Sequence, residues 1–152
     1  MPQTEAHILY IDDDDALRRL AERALKRRGM RVTLAASGDA GLALAAAERF
    51  DLVAVDHYMP GLDGLETLKR LRALDDAPPV IYVSGSEEGR VAIAAMKAGA
   101  ADYVVKSVGE DFFDLLTSAI INVLAKVALQ RAKDRAEEEL RASNLRLEAL
   151  LH

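Results

Sequence analysis

Five residues carry groups that could do chemistry together: the adjacent acids Asp12 and Asp13, a lone Asp56, the hydroxyl of Ser84 and the ammonium of Lys106. Each falls at the end of a short β-prone run. Asp12-Asp13 follow HILYI (7–11), Asp56 follows LVAV (52–55), Ser84 follows VIYV (80–83), and Lys106 follows YVV (103–105). Three carboxylates brought to ~4 Å from one another would repel by roughly 4 kcal/mol per pair at an effective dielectric near 20. Such a cluster therefore calls for positive charge. A hard divalent cation such as Mg²⁺, which takes a few carboxylates and keeps several waters, suits it, and Lys106 supplies a second positive charge.

The elements that must position these groups alternate in kind. A fifth β-prone run lies at RVTLA (31–35). Between the runs, apolar residues recur at spacings of three and four: Leu17, Leu20, Ala21, Ala24 and Leu25, closed by Gly29; Leu42, Ala43, Ala46, Ala47 and Phe50; Leu65, Leu68 and Leu71; and Val91, Ala92, Ala95 and Met96, closed by Gly99. Strands alternating with helices imply parallel neighbours joined by crossovers. The middle runs are apolar throughout, as expected when helices cover both faces of the sheet. The prediction is an α/β fold, a flavodoxin-like doubly wound five-stranded parallel sheet in the order 2-1-3-4-5. Its crevice lies where strands 1 and 3 end, at the point where the crossovers change direction.

At this level of detail the sequence resembles the receiver domain of two-component response regulators, of the chemotaxis-receiver kind, over roughly residues 6–125. The matching strings are Ile11-Asp12-Asp13, Asp56-x-x-Met59-Pro60-Gly61-x-Asp63-Gly64, Ser84-Gly85, and Gly99-Ala100-x-Asp102-Tyr103-x-x-Lys106. The resemblance implies that Asp56 is the phosphoacceptor, taking a phosphoryl group from a phosphohistidine on a histidine kinase or phosphotransfer protein. It implies Mg²⁺ ligation by Asp13, Asp56 and the backbone carbonyl of Tyr58, with Asp12 acting mainly through water. Ser84 and Lys106 would each meet a phosphoryl oxygen, and Ser84 with Tyr103 would form the switch that reshapes the face of helix 4, strand 5 and helix 5. Self-catalysed phosphorylation and dephosphorylation of a signalling module follow, rather than turnover by an enzyme. One departure stands out: the family usually has proline after the lysine, in a cis peptide, and Ser107 stands there. A non-proline cis bond costs ~2.5–4 kcal/mol, so a trans bond and an altered loop are expected.

From Phe112 to His152 there is no proline or glycine, and Ala, Leu, Glu, Arg and Lys dominate. A helix of about 40 residues would be about 60 Å long, against about 30–35 Å for a domain of this size, so its second half must leave the globule. Within it, Leu129, Ala132, Ala136, Leu140, Ser143, Leu147 and Leu150 keep the spacing of a coiled-coil seam. The expected division is a receiver at 1–125 and, at 126–152, an extended helix that connects to an output or kinase module outside this chain; a homodimer is expected through this helix, paired in parallel, and/or through the face of helix 4, strand 5 and helix 5. Ile93 and Ala94 lie off the main stripe of the fourth helix and offer an apolar surface to a partner.

Composition closes off other classes. The 152 residues are 51% hydrophobic and 30% charged, with 25 acids, 20 bases and no cysteine. A net charge of −5 argues against direct nucleic-acid binding, and the lack of cysteine excludes disulfides and thiolate sites. No run approaches ~18 consecutive apolar residues, so a cytoplasmic protein without a membrane segment is expected. His7, His57 and His152 lack metal-ligand spacing and are read as structural, and Asp14 and Asp15 as a helix start. Three rival readings meet specific obstacles. A haloacid-dehalogenase-type phosphatase would carry its nucleophile on the first strand in Asp-x-Asp, whereas the acids here are adjacent. A flavin or nucleotide module would need a glycine-bearing loop after strand 1, and that loop is acidic. A degenerate receiver acting only as a protein-binding scaffold would not need the intact acidic set.

Overall fold

The computed structural model describes residues 5–85, 89–107 and 109–151. Its elements run β1 (His7–Ile11), α1 (Asp15–Arg27), β2 (Arg31–Ala35), α2 (Gly38–Ala47), β3 (Leu52–Asp56), α3 (Gly64–Arg72), β4 (Val80–Ser84), α4 (Gly89–Lys97), β5 (Asp102–Val105) and α5 (Glu110–Leu151). The five strands are parallel in the order β2-β1-β3-β4-β5. This is the flavodoxin-like arrangement that the sequence pattern predicted.

Side chains alternate across the sheet with the period of two that a strand imposes. Ile8, Tyr10, Leu52, Ala54, Ile81 and Val83 pack with α1 and α5 residues such as Leu25, Phe112 and Leu116. Leu9, Ile11, Val53, Val55, Val80 and Tyr82 pack on the other face with Leu68, Leu71, Val91 and Ala95. Short side chains cap the helices at the functional edge. Asp14 accepts from the Leu17 N–H, Ser37 from Ala40 and Asp63 from Glu66. Gly29 and Gly99 adopt φ of +82° and +103° just past α1 and α4, the left-handed stop their positions suggested.

Three details differ from the pattern-based reading. β3, β4 and β5 each extend one residue further, so Asp56 and Ser84 are the last residues of their strands and Asp102 the first of β5. Leu20 and Met96 are each 49% exposed, so the buried stripes of α1 and α4 are narrower than their apolar residues suggest. In α2 the face is different: Ala43, Ala46 and Ala47 are not buried, and the helix meets the sheet through buried Gly41, with Leu42 and Ala45 partly buried, while buried Gly38 lies against Leu62 and Thr67. Phe50 is buried but lies beyond the helix end. The reason is close approach. A Cβ on Gly41 would stand 2.2 Å from Ile11 Cδ1, so α2 lies nearer β1 than any side chain would allow. Gly41→Ala should accordingly destabilise the chain by roughly 1–3 kcal/mol through overpacking, read as a lower urea midpoint at unchanged slope.

α5 is 42 residues long, about 63 Å at ~1.5 Å per residue. Phe112, Leu116, Ala119, Ile120 and Val123 are buried against the sheet, and Val127 is partly buried. Farther on the large apolar residues are bare: Leu129, Leu140, Leu145, Leu147, Leu150 and Leu151 are all exposed. By length and composition alone α5 is also apolar enough to cross a membrane. The core face just named belongs to this helix and contributes to its apolar character.

Candidate functional site

The strand ends lie level in register. Ile11 pairs with Ala35 and Val55, Asp56 with Val83, and Ser84 with Val105. Parallel pairing therefore brings residues 12, 56, 84 and 106 to one edge, although up to 94 positions separate them in sequence. Asp12, Asp13 and Asp56 each offer a carboxylate oxygen, and these oxygens lie within 4.8 Å of one another. Asp12 is fully buried, Asp56 is nearly so and Asp13 is exposed.

The turn after β1 holds Asp12 rigidly. Its backbone N–H donates to the Ala35 carbonyl (3.1 Å), and its own carbonyl accepts from Arg18 Nη1 (2.7 Å). Asp12 Oδ1 accepts from the Asp14 N–H at 3.0 Å, and Oδ2 accepts from the Tyr10 hydroxyl at 3.3 Å. Burial, and then the charges of Asp12 and Asp56, push the Tyr10 hydroxyl above its ordinary range, so it remains a donor. Asp14 caps α1 and Asp15 pairs with Arg18 and Arg19, which separates these two acids from the cluster.

Lys106 supplies the counter-charge. Its Nζ lies 3.0 Å from Asp12 Oδ2 and 3.2 Å from Asp56 Oδ1. The side chain is aimed by its backbone, whose N–H donates to the Ser84 carbonyl at 2.8 Å. Burial opposes the ammonium, but Asp12 and Asp56 outweigh it, and the Lys106 pKa is held above its ordinary value. No peptide bond among the described residues is cis, so with Ser107 in place of the usual proline the lysine still reaches both acids. Gly85 is exposed, and a Cβ there would meet nothing closer than Lys106 O at 3.8 Å. Ser84 is fully buried at the end of β4.

The loop from His57 to Asp63 closes the other side. Asp13, His57, Tyr58, Met59, Pro60 and Asp63 line a hollow, with Tyr58 59% exposed at its rim. Gly64 lets this loop fold back on β3: a Cβ would lie 2.5 Å from the Asp56 carbonyl oxygen and 2.6 Å from the Tyr82 hydroxyl. Tyr103 is half-buried on β5, and its ring stacks on Tyr82 with centroids 6.3 Å apart.

Two of the histidines are engaged in packing contacts. His7 Nε2 pairs with Thr33 Oγ1 at 2.7 Å, and His57 Nδ1 pairs with the Tyr82 hydroxyl. His152 lies outside the described residues. Tyr82 does not stand out in the sequence, where it reads as one more strand residue. The available signal was a hydroxyl-bearing ring inside an otherwise aliphatic run, and its partners could be named only once β3, β4 and β5 were side by side.

Asp56 carries the clearest electrostatic signature. Desolvation, then the Asp12 charge, raise its pKa to about 6 from an ordinary 3.8, against the opposing pull of Lys106. The folded chain thus binds this proton more tightly than the unfolded chain. The associated stability is complete below about pH 4 and is lost as pH rises through about 6, a change on the order of 3 kcal/mol. In EDTA, wild type should therefore lose stability relative to Asp56→Asn between pH 4 and 7, and added Mg²⁺ should narrow the gap. Urea midpoints for both chains at each pH measure this. A gap that does not change with pH would contradict the burial of this charge.

A buried acid, two neighbouring acids that make a hard-oxygen donor set and a lysine can hold a divalent cation and receive a phosphoryl group. Known proteins bear on this arrangement. A family model described as the response regulator receiver domain matches residues 8–118. The transcriptional regulatory protein AfsQ1 of Streptomyces coelicolor is 39% identical over 114 residues, 75% of this chain and 50% of that protein. The chain spans about half the length of the curated relatives it matches. A response regulator receiver domain protein from Clostridium thermocellum superposes with TM-score 0.74 at 31% identity, covering 82% of this chain and 98% of the other. A Burkholderia pseudomallei response regulator, described with a phosphorylated aspartic acid, a calcium ion and citrate, gives TM-score 0.70 at 27% identity over 86% of this chain and 75% of its own.

Proposed function

We propose, given that the chain belongs to the response regulator receiver domain family, that Asp56 accepts a phosphoryl group from a phosphohistidine on a partner histidine kinase or phosphotransfer protein. The observation that carries this reading is the meeting of Asp12, Asp13 and Asp56 within 4.8 Å beside the Lys106 ammonium. Asp56 Oδ attacks phosphorus in line, the bond from phosphorus to the imidazole nitrogen breaks, and that nitrogen leaves with the electron pair and takes up a proton. Asp13, Asp56 and the Tyr58 carbonyl are the residues to hold Mg²⁺, with Asp12 acting through water; all-oxygen donors of this kind suit a hard cation. When bound, the cation supplies neutralisation of the phosphoryl oxygens. Lys106 pairs with one of those oxygens and the Ser84 hydroxyl bonds another, so that spread negative charge is met by fixed partners.

Switching uses the same residues. Ser84, drawn toward the anion, vacates space beside β4, and Tyr103 turns inward to fill it. The face of α4, β5 and α5 then changes shape, where Ile93, Met96, Val105 and Leu115 are already exposed. We assign residues 1–125 to the receiver and 126–152 to a helical connector working in the cytoplasm.

The seam Leu129, Ala132, Ala136, Leu140, Ser143, Leu147 and Leu150 would pair with a second copy in parallel. Sedimentation should show a dimer whose affinity changes with beryllofluoride, and Leu140→Lys with Leu147→Lys should give a folded monomer. A monomer at every concentration, with and without the phosphate mimic, would defeat the pairing.

The acceptor role is tested with a small phosphodonor and Mg²⁺. A modification located at Asp56 supports it; one located elsewhere, or none, overturns it. The curated relative AfsQ1 is described as a transcriptional regulatory protein; with a formal net charge of −5, the partners of this chain are read as proteins.

A further inference from the structure

Tyr82 is fully buried in the middle of β4, in the run Val80-Ile81-Tyr82-Val83. A phenylalanine would fill nearly the same volume, so packing alone does not call for the hydroxyl. That hydroxyl pairs with His57 Nδ1. Burial pushes the Tyr82 hydroxyl above its ordinary range, so it keeps its proton within that pair.

His57 is tightly tied to the acceptor. It follows Asp56 directly, its N–H donates to the Val83 carbonyl (2.9 Å), and its carbonyl accepts from the Gly64 N–H (3.1 Å). A shift of the loop carrying Asp56 and Tyr58 is therefore felt at the imidazole. On the other side, Tyr82 is the register partner of Tyr103, and their rings stack at 6.3 Å with 21° between planes. The start of α3 closes the remaining space, since a Cβ on Gly64 would come within 2.6 Å of the Tyr82 hydroxyl. The ring thus has neighbours on both sides and a polar anchor.

We infer that Tyr82 is a positioning residue that ties the acceptor loop to Tyr103: its hydroxyl is held by His57, and its ring sets where the Tyr103 ring can lie. This rests on the switch reading above and adds to it a second route, distinct from the Ser84 hydroxyl. Because interiors are close-packed, a small displacement of one ring must be matched by the ring stacked on it.

The test is a double-mutant cycle read at the Tyr103 ring resonance of the full chain carrying ¹³C-labelled tyrosine. Without ligand, His57→Ala should shift that resonance, and in a Tyr82→Phe background the shift should fall at least about twofold. His57→Asn, whose Oδ1 can accept from the same hydroxyl, should leave the resonance near its wild-type position. This arm stands even if Tyr82→Phe does not fold. Equal shifts from His57→Ala in both backgrounds, or equal shifts from His57→Ala and His57→Asn, would overturn the inference. With Mg²⁺ and beryllofluoride, the Tyr103 response should likewise shrink in Tyr82→Phe while ¹⁹F signals still report the bound anion. A wild-type chain that binds no beryllofluoride at Asp56 would sink the acceptor reading, while the unligated cycle still decides the tie.

Discussion

Incubated with acetyl phosphate and Mg²⁺, the wild-type chain should gain the mass of one phosphoryl group, and Asp56→Asn should gain none. The expected effect is complete loss, because the amide nitrogen of asparagine has no free lone pair to offer and the buried position admits no substitute nucleophile. Asp13 is exposed, and Asp12 has its oxygens bound by the Asp14 N–H, the Tyr10 hydroxyl and Lys106. Asp56 has its pKa raised to about 6 by burial and by the Asp12 charge. At neutral pH it is mostly ionised and unusually basic for a carboxylate, which favours attack. Asp12→Asn should slow phosphorylation without moving the site. Intact mass followed by peptide mapping separates the two outcomes. Turnover of a phosphate monoester that Asp12→Asn abolished and Asp56→Asn spared would instead point to the phosphatase reading.

Removing the lysine should have the second-largest effect, in two readouts. Lys106→Ala leaves the buried Asp12 and Asp56 carboxylates without the ammonium now 3.0 and 3.2 Å away. Deleting one partner of a buried ion pair costs ~3–5 kcal/mol, since the remaining charge keeps its desolvation penalty. At pH 7 in EDTA, the stability read from urea unfolding should fall by that amount. The loss should be smaller at pH 5, where Asp56 can take up a proton, and smaller with Mg²⁺ present. Phosphorylation by a small donor should slow by roughly 10²–10³-fold, the usual loss when one preorganised partner of the developing charge is removed. A Lys106→Ala chain as stable as wild type at pH 7 without metal would show that the acids do not depend on it.

Much of this edge is legible in the chain's own pattern. Asp12, Asp56, Ser84 and Lys106 each stand where a short apolar run stops, and a strand buried on both faces must stop where polarity returns. Helices between the runs leave only parallel pairing, and parallel pairing sends all those ends to one side. The stop signals Gly29 and Gly99 are equally plain, because positive φ favours a residue without Cβ. The helix α2 is not legible in the same way. Alanines at 43, 45, 46 and 47 look alike from every side, and the buried face went to Gly38 and Gly41, where absence of a side chain lets the helix close on Leu62 and Thr67 at the first position and on Ile11 of β1 at the second.

Local pattern was thus enough to dictate the alternation of strands and helices, the residue types collected at the strand ends and the length of α5. All three follow from short-range periodicity and from which residues can end an element. It took the packed chain to settle which acid is buried, that Lys106 bridges Asp12 and Asp56, and that Tyr82 lies between His57 and Tyr103. Those facts depend on side chains far apart in sequence, up to 94 positions for Asp12 and Lys106, meeting at hydrogen-bond or stacking distance. Local propensity is blind to such meetings, because strand register and the close approach of helices set them, and both are properties of the packed whole.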